Sequence, residues 1–175
     1  MEIPKTYRTA HLAKFEWPEE YVIPIVEWYK SKENILFCTS DVGVGKTYLC
    51  HAIYQDVLDQ KMPVRFFPER KFLNTLRETI QKGWDYEYEI ERLCDVQWLI
   101  LDDLGFVKPN DWHKEVLFSM LDNRYSSQKP TLITSNLGHK EILDTYGKRF
   151  ASRLYSNRNK ILEPKDLPNR RETEV

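Results

Sequence analysis

Short apolar runs alternate along the chain with longer stretches in which apolar residues recur at helical spacing. This alternation predicts βαβ units and a mainly parallel sheet. Five strands are predicted, over residues 34–39, 63–67, 98–103 and 131–135, with a short fifth strand over 160–162. Helices are predicted over 19–32, 46–60, 69–82, 85–94, 111–127, 140–146 and 148–155, the last two being split at Gly147. Together these elements predict a three-layer α/β/α domain.

The composition is that of an ordinary folded domain without a strong charge bias. The chain has 175 residues, is 41% hydrophobic and 13% aromatic, and carries a net charge of −1. This argues for one domain and against disorder. There is no apolar run near the roughly 20 residues of a membrane helix and no apolar core of a secretory signal, so we expect a cytoplasmic protein without a membrane partner. Cys38, Cys50 and Cys94 form no CxxC pair, which favours buried, reduced thiols.

The segment SDVGVGKT, residues 40–47, carries the strongest chemical signal. It follows an apolar strand, precedes a helix and matches the phosphate-binding pattern G-x-x-x-x-G-K-[ST], except that Ser40 replaces the first glycine. If that position needs a positive φ, serine would cost on the order of 1 kcal/mol there. Gly43 and Gly45 allow successive N–H groups to point at phosphate oxygens, and the helix adds its positive N-terminal end.

Nine residues of this loop and helix start are predicted to bind the nucleotide: Ser40, Asp41, Val42, Gly43, Val44, Gly45, Lys46, Thr47 and Tyr48. Lys46 is expected to play no part in packing and to place its charge on the β and γ phosphates. Thr47 is expected to offer its hydroxyl to Mg²⁺.

Polar residues follow two predicted strands where a nucleotide site needs them. Asp102 and Asp103 end the run LILDD, which predicts Asp102 as a magnesium residue and Asp103 as the group that orients or deprotonates the attacking water. Asn136 ends the run TSN and is a candidate for positioning that water or reading the γ-phosphate. A helix cap or turn is the structural alternative for each of them.

Basic residues cluster on two predicted helices. Between Thr145 and Leu162 the chain has no acidic residue and five basic ones, which are Lys148, Arg149, Arg153, Arg158 and Lys160. Arg149 and Arg153 share a helix face, as either a solvated surface or an arginine finger for a neighbouring subunit's γ-phosphate. The helix over 69–82 carries Arg70, Lys71, Arg77 and Lys82, and is either solvated or a contact for single-stranded DNA.

Taken in order, the motifs GVGKTYL, LILDDLG, TSN and RFASRL resemble the AAA+ ATPases of the DnaC/DnaI helicase-loader and IstB transposition-helper group. The resemblance covers about residues 4–171 and implies a P-loop NTPase fold of the AAA+ type with five strands and no helical lid. It implies ATP and Mg²⁺ as ligands, self-association in a ring or spiral, and contacts with single-stranded DNA and a replicative helicase. It makes Asn136 the sensor-1 residue, Arg153 the arginine finger and Arg149 its companion, and it places residues 4–8 with Phe15 near the adenine.

By this resemblance the chain is expected to hold the ATPase module of the group and little else. We divide it into an N-terminal arm and helix over 1–33, an AAA+ core over 34–164, and a polar C-terminal tail over 165–175 that is expected to be frayed. The 33 residues before the first strand are expected to replace the helicase-binding region of loaders by a short arm, and the 13 after Leu162 are too few for a lid. Arg170 and Arg171 resemble the basic ending of the group. Asp103 stands where many AAA+ proteins have Glu, so slow hydrolysis is expected.

The favoured hypothesis is an ATP-hydrolysing AAA+ protein of DNA replication, either a helicase loader or loader-like. An IstB-like transposition helper is the alternative within the same fold. A small P-loop kinase is a further alternative, but it needs an acceptor pocket and an arginine-rich lid, and the paired acids and late arginines fit AAA+ proteins better. An adaptor that binds nucleotide without hydrolysing it is the remaining class.

Overall fold

The computed structural model describes residues 3–83 and 85–170, without the side chains of 86, 87, 93 and 94. The strands are β1 (Ile35–Thr39), β2 (Val64–Pro68), β3 (Trp98–Leu104), β4 (Thr131–Ser135) and β5 (Lys160–Leu162). The helices are α1 (Glu19–Ser31), α2 (Lys46–Asp59), α3 (Glu69–Gln81), α4 (Tyr86–Cys94), α5 (Asp111–Ser126) and α6 (His139–Leu154). The strand order is β2-β3-β4-β1-β5, and the neighbouring pairs are parallel throughout. The predicted five-stranded α/β/α fold is confirmed.

Two hydrophobic cores lie on opposite faces of the sheet. Phe37 and Ile133 pack with helices α3 to α6, whereas Leu36 and Leu132, their neighbours along the strands, pack with α1 and α2. Because helices cover both faces, β1 and β4 are buried along their whole length. The buried free thiol of Cys38 confirms its prediction, as does that of Cys50, whereas the side chain of Cys94 lies outside the described residues.

Helix ends agree with the predicted ones to within about two residues, and their causes are visible. Asn110 caps α5, because its side-chain oxygen accepts the backbone N–H of His113 at 2.9 Å. Gly147 has a φ of 85° and interrupts α6, which confirms the predicted split. Among the described residues, each helix is too short or too polar to traverse a bilayer.

The N-terminal arm packs against α2. Its two short 3₁₀ turns are Lys5–Tyr7 and Leu12–Lys14. The amide of Gln55 donates to the carbonyl of Tyr7 at 2.6 Å, and the backbone N–H of Leu12 donates to Asp56 at 3.1 Å. The boundary drawn at residue 33 stays a prediction.

The first part of the C-terminal tail lies across the loop between β1 and α2. The backbone N–H of Arg170 donates to the carbonyl of Gly43 at 3.0 Å, and Leu167 packs against the core formed with α1 and α2. The expectation of a frayed tail is therefore wrong for residues 165–170. These contacts join residues far apart in the chain, so they produce no periodic pattern in the sequence. Arg171 and the residues after it lie outside the described residues.

Candidate functional site

A cavity of about 510 Å³ lies at the carboxyl edge of the sheet. Six of the nine predicted loop and helix-start residues line it, namely Val42, Gly43, Gly45, Lys46, Thr47 and Tyr48. Asp103 and Asn136 line it as well. The carboxyl ends of parallel strands are where open α/β sheets bind ligands, so the fold brings these predicted residues to one place.

The loop between β1 and α2 has the backbone that a phosphate cradle needs. Gly43 and Gly45 have φ values of 86° and 109°, in the left-handed region that disfavours other residues. Ser40 is not among the described residues with a positive φ, so the backbone cost considered for it does not arise. Its N–H instead donates to the carbonyl of Ser135 at 3.3 Å, which continues the pairing of β1 with β4.

Lys46 is anchored within this loop. Its ammonium donates to the carbonyl of Ser40 at 2.7 Å and to the carbonyl of Asp41 at 2.6 Å, and the residue is 6% exposed. The expectation that Lys46 plays no part in packing is therefore wrong. Burial lowers the pKa of this ammonium, and the charges of Asp103 and Asp102 act in the opposite direction. Phosphate oxygens would compete with the two carbonyls for the ammonium.

Asp102 is buried, with 4% of the residue exposed, and it is not among the residues that line the cavity. Its Oδ1 accepts the hydroxyl of Thr134 at 2.6 Å and the thiol of Cys50 at 3.5 Å. These two donors hold the carboxylate in one orientation. Sequence reasoning gave a role to Asn136 alone in the run TSN, and it missed the part played by Thr134.

Asp103 turns toward the cavity because the strand is irregular at this point. It has a φ of 59°, and the pairing of β3 with β4 shifts register between Leu101 and Leu104. Its N–H donates to Thr134 Oγ1 at 3.2 Å. One threonine therefore ties both acidic residues to β4, with Asp102 buried and Asp103 lining the cavity.

The loop after β3 is held by a carboxylate that sequence reasoning missed. Glu69 is 1% exposed, and its Oε2 accepts the N–H groups of Gly105 and Val107, both at 3.2 Å. Its Oε1 accepts the hydroxyl of Tyr146 at 3.0 Å. Burial raises the pKa of Glu69, and these hydrogen bonds act against that shift. Glu69 thus connects the loop that follows Asp103 with helix α6.

Aromatic residues form another part of the cavity wall. Tyr7 and Phe15 of the N-terminal arm line it, together with Thr6, and the position of the adenine near them stays a prediction. The rings of Phe15 and Tyr48 are stacked with centroids 6.1 Å apart, and Tyr7 stacks on His51 at 4.4 Å. Flat apolar walls of this kind suit a planar base.

Residues from both ends of the chain hold the phosphate loop, and sequence reasoning missed these contacts. The indole N–H of Trp17 donates to the carbonyl of Val44 at 2.8 Å. Arg170 lines the cavity, and its guanidinium donates to the carboxylate and to the carbonyl of Glu16. Partners so distant along the chain leave no local signal, and the basic ending was the one available indication for Arg170.

Arg149 and Arg153 do not line the described cavity of their own chain. The guanidinium of Arg149 lies 4.6 Å from the ring centroid of Phe118, and that of Arg153 lies 5.3 Å from the centroid of Tyr125. The side chains of both arginines, which belong to α6, therefore pack against α5. The role of Arg153 as an arginine finger stays a prediction.

The basic residues of α3 remain at the surface. Arg70, Lys71, Arg77 and Lys82 are all exposed. Arg70 and Arg77 are two helical turns apart and share a face. The guanidinium of Arg77 lies 5.7 Å from the ring centroid of Trp112 and 3.1 Å from His113 Nε2.

Three residues at this end of the site carry oxygen donors suited to Mg²⁺. Thr47 and Asp103 line the cavity with a hydroxyl and a carboxylate, and the carboxylate of Asp102 is buried next to Asp103 in the chain. Hydroxyl and carboxylate oxygens are the ligands that Mg²⁺ prefers, so the donor set fits this ion.

The profile of a protein family described as IstB-like ATP binding protein matches residues 23–153 of this chain. Chromosomal replication initiator protein DnaA of Chloroflexus aggregans is 32% identical over 139 residues, which cover 78% of this chain and 29% of the initiator. The chain thus spans less than a third of that relative.

Solved structures share the fold. A DnaC helicase loader superposes with a TM-score of 0.79 at 23% identity, covering 93% of this chain and 100% of the loader chain. A replication initiator DnaA bound to AMPPCP and single-stranded DNA superposes with a TM-score of 0.78 at 22% identity, covering 89% of this chain and 50% of the initiator chain. At these identities the likeness establishes a common fold.

Proposed function

The chain belongs to the IstB-like ATP-binding protein family, and from that premise we propose that it is an ATP-hydrolysing AAA+ module of DNA replication, acting as a helicase loader or a loader-like ATPase. The observation that carries the proposal is one cavity lined by Lys46, Asp103 and Asn136. A phosphate cradle alone would serve a kinase or an adaptor equally well. A carboxylate and an amide that face the same space add the groups that hydrolysis requires.

The residues of the site divide the chemistry among them. Lys46 and the loop N–H groups would bind the phosphates, and Asn136 would orient a water molecule. Oxygen of that water attacks the γ-phosphorus, the bond to the ADP oxygen breaks, and Asp103 receives the proton. Thr47 and Asp102 would hold Mg²⁺, which supplies positive charge to the β and γ phosphates when bound.

Replacement of Asp103 with asparagine is expected to leave Mg·ATP binding intact and to slow hydrolysis by about 10² to 10⁴, because an amide cannot accept the proton. Asparagine tolerates the left-handed backbone found at this position, so the substitution adds little strain. Steady-state phosphate release and ATP titration at several Mg²⁺ concentrations are the measurements.

Asp102→Asn serves as the matched control, since it is expected to weaken the binding of Mg²⁺ instead and so to raise the Mg²⁺ concentration that hydrolysis needs. Hydrolysis by Asp103→Asn at the parental rate would show that Asp103 only shapes the turn after β3. Parental protein that binds ATP but releases no phosphate, with or without single-stranded DNA, would identify an adaptor.

The proposed assembly is a ring or spiral whose partners are single-stranded DNA and a replicative helicase. Similarity to a DnaC helicase loader and to a DnaA bound to single-stranded DNA supports both partners. Exposed basic residues on α3 supply the charge that a phosphate backbone attracts.

Binding of single-stranded DNA is expected to require ATP-dependent assembly and to weaken steeply with salt. The slope of log K against log salt is about −0.7 for each phosphate neutralised, so Arg70, Lys71 and Arg77 together contribute about −2. Changing these three residues to alanine should lower affinity and flatten the slope by that amount in fluorescence anisotropy titrations. The control removes three exposed charges elsewhere, in Lys14, Lys30 and Lys140, and should leave the slope unchanged. Equal slopes for the two triple variants would place the DNA contact away from α3.

A transposition helper is the second candidate, and the match to the IstB-like family profile favours it. It shares the ATP chemistry and differs in its protein partner. A helicase or primase gene beside the gene for this chain would favour replication, and a transposase gene would favour transposition.

A further inference from the structure

Helix α5 presents a stripe of three residues to the arginines of α6. Phe118, Asp122 and Tyr125 lie at helical spacing along α5, and each contacts an arginine of α6. The guanidinium of Arg149 lies over Phe118, whereas Arg153 contacts both Asp122 and Tyr125. Arg153 Nε donates to Asp122 Oδ1 at 2.5 Å, and its guanidinium lies over the ring of Tyr125.

We infer that Asp122 is a positioning residue, which orients Arg153 of its own subunit toward the γ-phosphate bound by a neighbouring copy of this chain. The inference rests on the proposed function, because it assumes that Arg153 acts in trans. Asp122 itself touches neither ATP nor the reacting atoms.

The hydrogen-bonding pattern of the guanidinium carries this inference. An arginine side chain has five N–H groups in a rigid fork, and one of them is on Nε. The bond with Asp122 engages Nε, so it does not use the four N–H groups of the two terminal nitrogens. Those four N–H groups lie at the end of the guanidinium, where two of them can donate parallel hydrogen bonds to two oxygens of one phosphate. Arg153 can therefore keep its bond to Asp122 while it contacts a phosphate.

Fixing the guanidinium matters because an unrestrained arginine samples many rotamers. The carboxylate of Asp122 fixes the position of Nε, and the ring of Tyr125 restricts the plane of the guanidinium. The hydrogen bond and the charge of Asp122 raise the pKa of Arg153, so the pair is electrostatically favourable. A finger ordered before the reaction does not lose that conformational freedom in the transition state.

The pair is too exposed to be important for folding. The side chains of Arg153 and Asp122 are 42% and 38% exposed, and exposed ion pairs contribute little to stability. Variants at Asp122 are therefore expected to fold and to assemble, which allows their effect on hydrolysis to be measured.

The first test is the hydrolysis rate of Asp122→Ala. We expect ATP affinity, melting temperature and assembly to match those of the parent. The rate of phosphate release should fall on the order of 10²-fold, which is the loss expected when a catalytic group is misplaced. Asp122→Asn should fall less, because its amide oxygen can still accept from Nε. Glu115→Ala is the matched control, since it removes an exposed carboxylate two turns earlier on α5 and should retain the parental rate.

A mixing experiment separates positioning of the finger from a general structural effect. Asp122→Ala mixed with Lys46→Ala should regain activity, because one subunit supplies an intact cradle and the other an intact finger. Asp122→Ala mixed with Arg153→Ala should stay inactive, because both lack a competent finger. Recovery in the second mixture would place the defect of Asp122→Ala in its own nucleotide site and would overturn the inference.

Three further outcomes would also overturn it, and they can be told apart. A parental rate for Asp122→Ala alongside a slow Arg153→Ala would leave the proposed finger standing and remove the role of Asp122. A parental rate for Arg153→Ala would remove the finger itself, and the role of Asp122 with it. Faster hydrolysis by Asp122→Ala would mean that the carboxylate restrains Arg153 rather than orienting it.

Discussion

Replacement of Lys46 with alanine is expected to abolish tight binding of ATP while the domain remains folded. Lys46 lines the cavity together with Gly43 and Gly45, and its ammonium would be the point charge of the cradle beside their N–H groups. Hydrogen bonds to charged groups contribute about 1.5 to 3 kcal/mol each, so loss of two phosphate contacts should weaken binding by a factor on the order of 10² or more. Isothermal titration calorimetry with Mg·ATP measures this directly.

The bonds that Lys46 makes to its own loop determine the controls. Alanine leaves the carbonyls of Ser40 and Asp41 without the ammonium as a donor, so a small fall in melting temperature is expected. A far-UV spectrum like that of the parent shows that the fold is retained. Lys30→Ala removes an exposed lysine from α1 and should leave both ATP affinity and stability unchanged. Unaltered affinity in Lys46→Ala would rule out the loop as the phosphate cradle.

The elements of the fold could be predicted because their signals are local. Alternate residues of β1 belong to opposite cores, which makes the strand apolar throughout, and Gly147 marks the break in α6 in the sequence itself. The phosphate loop has the same advantage, since its glycines and Lys46 are contiguous.

The supporting contacts could not be predicted, because they join distant parts of the chain. Arg170 reaches Gly43, Glu69 reaches Gly105, and each contact depends on a fold that no short pattern encodes. Asp103 is a related case, since the run LILDD predicts its identity but not the register shift that turns it toward the cavity. Sequence reasoning therefore named the groups proposed to touch the nucleotide and missed those that hold them in place.

Replacement of Arg153 with alanine is expected to leave ATP binding normal and to slow hydrolysis by about 10³, the lower end of the effect of arginine fingers. The side chain of Arg153 extends from α6 and packs against α5, and it does not line the described cavity of its own chain. It would stabilise the charge that develops on the γ-phosphate held by the next subunit. ATP titration and phosphate release, both measured on assembled protein, test the two halves of this expectation.

Mixing the two inactive proteins tests whether the finger acts between subunits. Lys46→Ala lacks a working cradle but keeps Arg153, whereas Arg153→Ala keeps its cradle and lacks the finger. Some interfaces in a mixture pair an intact cradle with an intact finger, so part of the activity should return and should depend on the mixing ratio. A finger acting within one subunit cannot be rescued in this way, because every subunit carries one defect. If the proteins assemble together and every ratio stays inactive, Arg153 does not act in trans, and the proposed ring or spiral loses its catalytic rationale.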